Sequence, residues 1–265
     1  MPEQPQSPLP TVRDTSWVML GTLLLLFIAP QLMNGVSDKL QMLILELLTA
    51  APVLFFVIRK RSPVAEVFRF RPVGWKTAAA SLLIGLGLSV VTDEIDRLVE
   101  RILPMPEEIR KSLETMMTAH SAADVAILVL AVVVVASLAE EMLFRGFLLG
   151  ALERSMDVTK AVLLSAFIFT LLHFNPWWLV DILIAGVFLG VMSWKSRSIW
   201  PGVIVHAVNN GLGIVFVHVD ENRMGWYLIG KHVSPVWVVL GMGIIYAGFR
   251  WFYRTVDDEK HRKTA

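Results

Sequence analysis

The sequence predicts an all-α fold: a polytopic membrane helix bundle of about eight transmembrane helices with an interfacial amphipathic helix. Three observations carry that prediction. Of the 265 residues, 55% are hydrophobic and only 18% are charged, with a mean hydropathy of +0.61, a balance that belongs to membrane chains rather than soluble domains. Apolar runs recur at the length needed to cross a bilayer core, about 20 residues; one of them, 125–136, contains no polar residue until Ser137. The nine Trp residues suit interface anchoring, because an indole is half apolar and half wet.

In chain order, residues 1–16 are polar and Pro-rich and are expected to form a disordered tail. They do not make a signal peptide: Arg13 is the only base before the first apolar run, and no small-residue cleavage site follows. Spans are then predicted at 17–36, 40–58, 76–92, 123–149, 160–174, 177–194, 199–217 and 235–253, a single transmembrane domain over 17–253. Pro30 and Pro52 should kink the first two, which membrane helices tolerate. Between the third and fourth spans, Ile95, Leu98, Val99 and Ile102 recur at helical spacing among charged residues, so 93–121 should supply the interfacial helix. Residues 254–265 read as a cytoplasmic tail.

Eight spans with the N-terminus inside place 16 Lys and Arg in inner segments and 7 in outer ones, with Arg145 within a span. Cytoplasmic loops retain such residues, so both termini are expected in the cytoplasm. Short loops and a 265-residue length point to a bacterial cytoplasmic membrane. A net charge of +1 offers nothing to nucleic acid. The absence of Cys excludes a disulfide framework, thiolate metal sites and a cysteine nucleophile. The expected partners are membrane lipids and a membrane-associated peptide or protein.

Ionisable groups inside an apolar span are costly and normally face the protein interior. Three spans carry pairs four residues apart, hence on one helix face: Glu141 with Arg145, Phe169 with His173, and His206 with Asn210. Adjacent residues on a helix differ by about 100°, so Glu140 and Glu141 cannot serve one point. Giving Glu141 to Arg145 leaves Glu140 alone on its helix, poised for proton transfer, with His173 and His206 as its natural companions. A carboxylate and an imidazole can hold and deprotonate water, and a second imidazole with an Asn amide can donate to an oxyanion. The same groups could bind zinc through Glu140, His173 and His206, although no His-Glu-x-x-His stretch is present. Glu46 and Asp181 are weaker candidates for supporting the site. The rival functions are a proton-coupled transporter, for which no inverted repeat is found, and a non-proteolytic scaffold or immunity protein.

The three patches, Glu140-Glu141-Met142-Leu143-Phe144-Arg145, Phe169-Thr170-Leu171-Leu172-His173 and His206-Ala207-Val208-Asn209-Asn210, resemble the CAAX prenyl protease and bacteriocin-processing family of intramembrane proteases, also called the Abi family. Its Phe-Arg-Gly continuation is present at Phe144-Arg145-Gly146. The resemblance covers about 135–212, within a family core of about 123–217. It implies an intramembrane endopeptidase in which Glu140 activates water with help from His173, and His206 and Asn210 stabilise the oxyanion. Glu141, Arg145 and Phe169 would hold the site in shape. The family is named as metalloproteases, yet a metal-free glutamate mechanism is also held for its eukaryotic members. Asn210 suits an oxyanion better than a metal, which favours a reaction with no required cofactor. The substrates implied are prenylated or bacteriocin-like peptides and proteins. One tension remains: at a rise of ~1.5 Å per residue, His173 falls deeper from the inner membrane edge than Glu140 or His206, so the fifth span must be tilted or must start elsewhere.

Overall fold

The computed structural model describes residues 9–264. Helix α1, Val12–Ile28, starts at a reciprocal cap: the Thr11 hydroxyl accepts from the Asp14 N–H, and the Asp14 carboxylate accepts from the Thr11 N–H, satisfying donors that a helix start leaves open. Order therefore begins inside the stretch expected to be a tail, and residues 1–8 lie outside those described. Pro30 does not kink α1; the helix gives way to a 3-10 turn, Ala29–Leu32. Pro52 does lie within α2, Asp38–Lys60. A single helical turn, Val64–Val67, follows.

Helix α3, Trp75–Ile102, runs ten residues past the end of the predicted span. It takes in Ile95, Leu98, Val99 and Ile102, so the apolar stripe expected to lie along the interface is the continuation of a spanning helix. The separate amphipathic helix is α4, Glu107–Met117. Helix α5, Ala122–Leu152, widens to π geometry over Val129–Ala136 and again over Glu141–Leu148. Helix α6, Val158–Leu171, has 14 residues. Helices α7, Leu179–Ser196, and α8, Trp200–Val217, follow. A small hairpin pairs β1, Leu228–Ile229, with β2, His232–Val233, and turns through Gly230 at φ 63°. Helix α9, Pro235–Thr264, runs on through the stretch read as a tail.

Among the described residues, seven helices are long and apolar enough to cross a membrane: α1 with its 3-10 turn, α2, α3, α5, α7, α8 and α9. The predicted fifth span is the short α6. The molecule is an all-α, multi-pass membrane bundle. Its outer surface is apolar at Leu24, Phe27, Phe55, Phe167 and Val239, as lipid contact demands.

Lipid supplies no hydrophobic drive between helices, so close packing through small residues matters more. Helices α3 and α9 meet at Gly87, where a Cβ would stand 2.7 Å from the Gly241 carbonyl oxygen. Helix α5 lies between α2, α6, α7 and α8. Leu143, Phe147 and Leu149 of α5 pack with Val53 and Val57 of α2, Phe68 of the following loop, and Val162 and Phe169 of α6. That arrangement places the Glu-Glu-x-x-x-Arg stretch at the enclosed end of α5, where Glu141–Leu148 and Leu149–Leu152 are all buried.

Candidate active site

Helix α5 supplies Glu140 at the end of an α-helical turn, with the π-helical segment starting at Glu141. π turns are uncommon and concentrate at functional sites. Glu141 and Arg145 are fully buried and joined at 2.8 Å, Nη1 to Oε1. Two further contacts hold the guanidinium. Its Nη2 donates to the Gly186 carbonyl of α7 at 3.3 Å, and its Cζ lies 4.1 Å from the Phe169 ring centroid. Phe169 thus does more than pack beneath His173: its face takes a cation, a contact strengthened by desolvation.

Histidine 173 lies just past the end of α6, in a turn closed by its N–H to the Thr170 carbonyl. Phe174, with φ 49°, ends the helix in the left-handed region, an uncommon conformation for a bulky side chain. The His173 Nδ1 is 2.8 Å from the Phe169 carbonyl oxygen; a carbonyl only accepts, so Nδ1 carries the proton and Nε2 is directed elsewhere. It faces Glu140 Oε2 at 4.0 Å.

His206 of α8 is buried and bridges the two carboxylates. Its Nδ1 is 3.4 Å from Glu141 Oε1, and its Nε2 is 3.7 Å from Glu140 Oε2. Glu141 therefore serves Arg145 and His206 together. Both imidazole Nε2 atoms approach one oxygen, Glu140 Oε2, which makes no hydrogen bond within the protein. Separations of 3.7 and 4.0 Å exceed a direct hydrogen bond and suit a small third group between the three atoms. Exposure divides the two carboxylates: Glu141 is sealed at 0%, whereas Glu140 keeps 14% of its side chain open.

The predicted difference in depth is thus resolved. Helix α6 is short, and the chain has already left it when it places His173 beside Glu140.

Asn210 is tied to the backbone of α5. Its amide N–H donates to the Val132 carbonyl at 2.8 Å, within the first π segment of α5, where the wider turn leaves carbonyls for outside donors. Of the weaker candidates, Glu46 on α2 is near Glu140, and its Oε2 is buried without a partner. Asp181 of α7 is near Asp96 of α3, and its Oδ1 is buried without a partner. Glu140, His173 and His206 are the three groups that would hold a zinc ion if one bound, where it would polarise the water; the chemistry below is written for the side chains alone.

Two glycines matter through contacts that the sequence does not show. A Cβ on Gly202 of α8 would collide with Glu141 Oε2 and stand 3.2 Å from its Cδ. A Cβ on Gly146 would stand 2.8 Å from Phe68 Cα. The glycine of Phe144-Arg145-Gly146 is therefore the point where the α2–α3 loop rests on α5.

No curated protein and no solved structure matches this chain. Residues 121–212 match one family model, described as type II CAAX prenyl endopeptidase Rce1-like. That stretch, about a third of the chain, holds every residue of the three motifs. The match agrees with the family that the motifs resemble and makes residues 121–212 an Rce1-like segment, which indicates a CAAX-type intramembrane endopeptidase in general within a multi-pass membrane protein.

Proposed function

We propose that this protein hydrolyses a peptide bond of a membrane-associated peptide or protein, with Glu140 as the base that activates water. The observation that carries the proposal is the convergence of two imidazole Nε2 atoms on Glu140 Oε2, at 4.0 and 3.7 Å, an oxygen that is buried and has no hydrogen-bond partner in the protein.

A water held among the three atoms has its proton taken by Glu140 as its oxygen bonds to the scissile carbonyl carbon. The carbonyl electron pair moves onto oxygen, and the resulting oxyanion accepts a hydrogen bond from His206 Nε2–H. Glu141 Oε1, at 3.4 Å from Nδ1, steadies the ring from its other side. The second N–H of Asn210, beyond the one given to Val132, is the further donor that the family pattern assigns to the oxyanion. Collapse of the tetrahedral species breaks the C–N bond. The proton on Glu140, passed directly or through His173 Nε2, goes to the leaving nitrogen, giving a carboxylate product and an amine. Arg145 and Phe169 keep Glu141 in place and, through it, His206.

On this proposal both termini are cytoplasmic, and the substrate is a prenylated or bacteriocin-like chain in a bacterial cytoplasmic membrane. The test is cleavage of a membrane-tethered peptide library by purified protein in detergent, comparing wild type with Glu140→Gln, with and without a chelator. Cleavage that needs Glu140 and persists with chelator supports the mechanism. Full activity in Glu140→Gln overturns it, and loss with chelator restored by zinc replaces the glutamate mechanism with a metal-bound one.

A further inference from the structure

A second cluster of buried charge lies far along α5 from Glu140, at the end of the bundle where α2, α5 and α7 finish. Arg69, in the α2–α3 loop, adopts φ 52° and turns its side chain inward, leaving the residue 6% exposed. Its Nη2 meets Glu153 Oε1 at 2.6 Å, and Arg197, in the turn after α7, pairs with the same oxygen. Arg154 joins them. From the point where a Cβ on Gly150 would sit, Arg69 Nη2 is 3.6 Å away and Arg154 Nη1 is 3.7 Å away, so the two guanidinium groups converge over one glycine. Arg154 Nη2 donates to the Pro10 carbonyl at 2.5 Å.

Three permanent cations thus gather around one buried carboxylate, with Glu66 as the next acidic group acting on Arg154. Burial draws Arg69 below its ordinary range; Glu153 opposes the shift, and the Arg197 and Arg154 charges add to it. Three helix C-termini attract cations, which explains the location. It does not explain a buried Arg69 Nη1 with no hydrogen-bond partner, nor the equally unpartnered Glu153 Oε2 beside it. Buried guanidinium donors left open are costly, and their planar fork matches the oxygens of a phosphate. An orphan acceptor beside an orphan donor suits a phosphate that also carries a hydroxyl, either on a headgroup or on the phosphate itself. Arg154 and Arg197 are exposed and leave the cluster open from outside. Basic pockets between the ends of membrane helices can receive lipid headgroups.

We propose that Arg69, Arg154 and Arg197 form a binding site for a phosphate group, carried by an anionic lipid headgroup or free in solution. Arg69 is the floor, and Arg154 and Arg197 are the walls. The site is separate from Glu140, His173 and His206.

The probes are phosphatidylglycerol and inorganic phosphate. Native mass spectrometry of the full chain measures retention of phosphatidylglycerol against phosphatidylcholine, and thermal unfolding measures stabilisation by phosphate against chloride at matched ionic strength. Arg154→Gln/Arg197→Gln removes two exposed guanidinium groups and spares the Arg69–Glu153 pair. At least a tenfold loss of affinity is expected for whichever probe binds the wild type. Retention of the lipid alone assigns the phosphate to a headgroup, and stabilisation by free phosphate alone assigns it to a soluble ion. The control, Lys60→Gln/Lys160→Gln, removes the same charge outside the cluster and should leave binding within twofold. Binding of neither probe, or an equal loss in the control, overturns the proposal.

Discussion

Gly202→Ala adds one methyl group where the Glu141 carboxylate now lies. Ordinary contact begins near 3.4 Å, so Glu141 Oε2 must retreat by about 1 Å. A free side-chain end would move at little cost, but this one is fully buried, joined to Arg145 at 2.8 Å and beside His206 Nδ1 at 3.4 Å. If the pair moves together, overpacking costs about 1–3 kcal/mol. If the pair breaks, a buried uncompensated charge costs about 3–5 kcal/mol. In either case His206 loses its support, and displacement of a reacting group by about 1 Å can lower a rate by ~10²-fold. The assay pairs peptide cleavage with thermal unfolding followed by Trp fluorescence. Gly213→Ala is the control on the same helix, because a Cβ there meets nothing within 4 Å; relative to wild type it should be neutral or stabilising by up to ~1 kcal/mol. Gly202→Ala that unfolds and cleaves like Gly213→Ala would refute the dependence of His206 on Glu141.

Arg145→Ala should destabilise by about 3–5 kcal/mol, and Arg145→Ala/Glu141→Gln should recover part of that loss because no lone charge stays buried; a double variant no more stable than the single one, in the same unfolding assay, contradicts the buried-pair account. Gly146→Ala should cost about 1–3 kcal/mol by pressing on Phe68 while sparing Glu140, and increased protease cutting within 61–74 reports it; an unchanged digest refutes it. Burial, together with the Asp93 carboxylate that accepts its hydrogen bond at 2.8 Å, pushes the Tyr227 phenol above its usual value. The neutral form is thus favoured in the fold, so its contribution is complete below the unfolded value of about 10 and declines as pH rises past it. Stability of the wild type should fall more steeply above that pH than that of Tyr227→Phe, and parallel curves would rule this out.

Much of the site could be read from spacing, because a pair four residues apart on an apolar helix is visible without coordinates. Glu141 with Arg145 and Phe169 with His173 both came through in this way. What spacing could not show was contact between helices. His206 reaches two carboxylates rather than one, and Asn210 spends an amide N–H on Val132, because both depend on how α8 lies along α5. The stripe from Ile95 to Ile102 was periodic, but periodicity does not record whether a helix stops. The chain carries no Gly or Pro between Leu88 and Leu103 to end α3 early. At the N-terminus, the Thr11–Asp14 cap outweighed the polar composition that suggested disorder. Gly202 was invisible for a plainer reason: a glycine chosen for space looks in sequence like any other.

The π segment at Val129–Ala136 sets the azimuth of everything after it. A wider turn accommodates one residue more than an α-helical path would, and each residue of an α-helix advances about 100°. Glu140, Glu141 and Arg145 therefore point where they do because eight residues upstream the helix has taken up an extra step. Deleting a single valine from that run would act less as a truncation than as a rotation, turning the Glu140 face away from His173 and His206 while the apolar helix stays long enough to span.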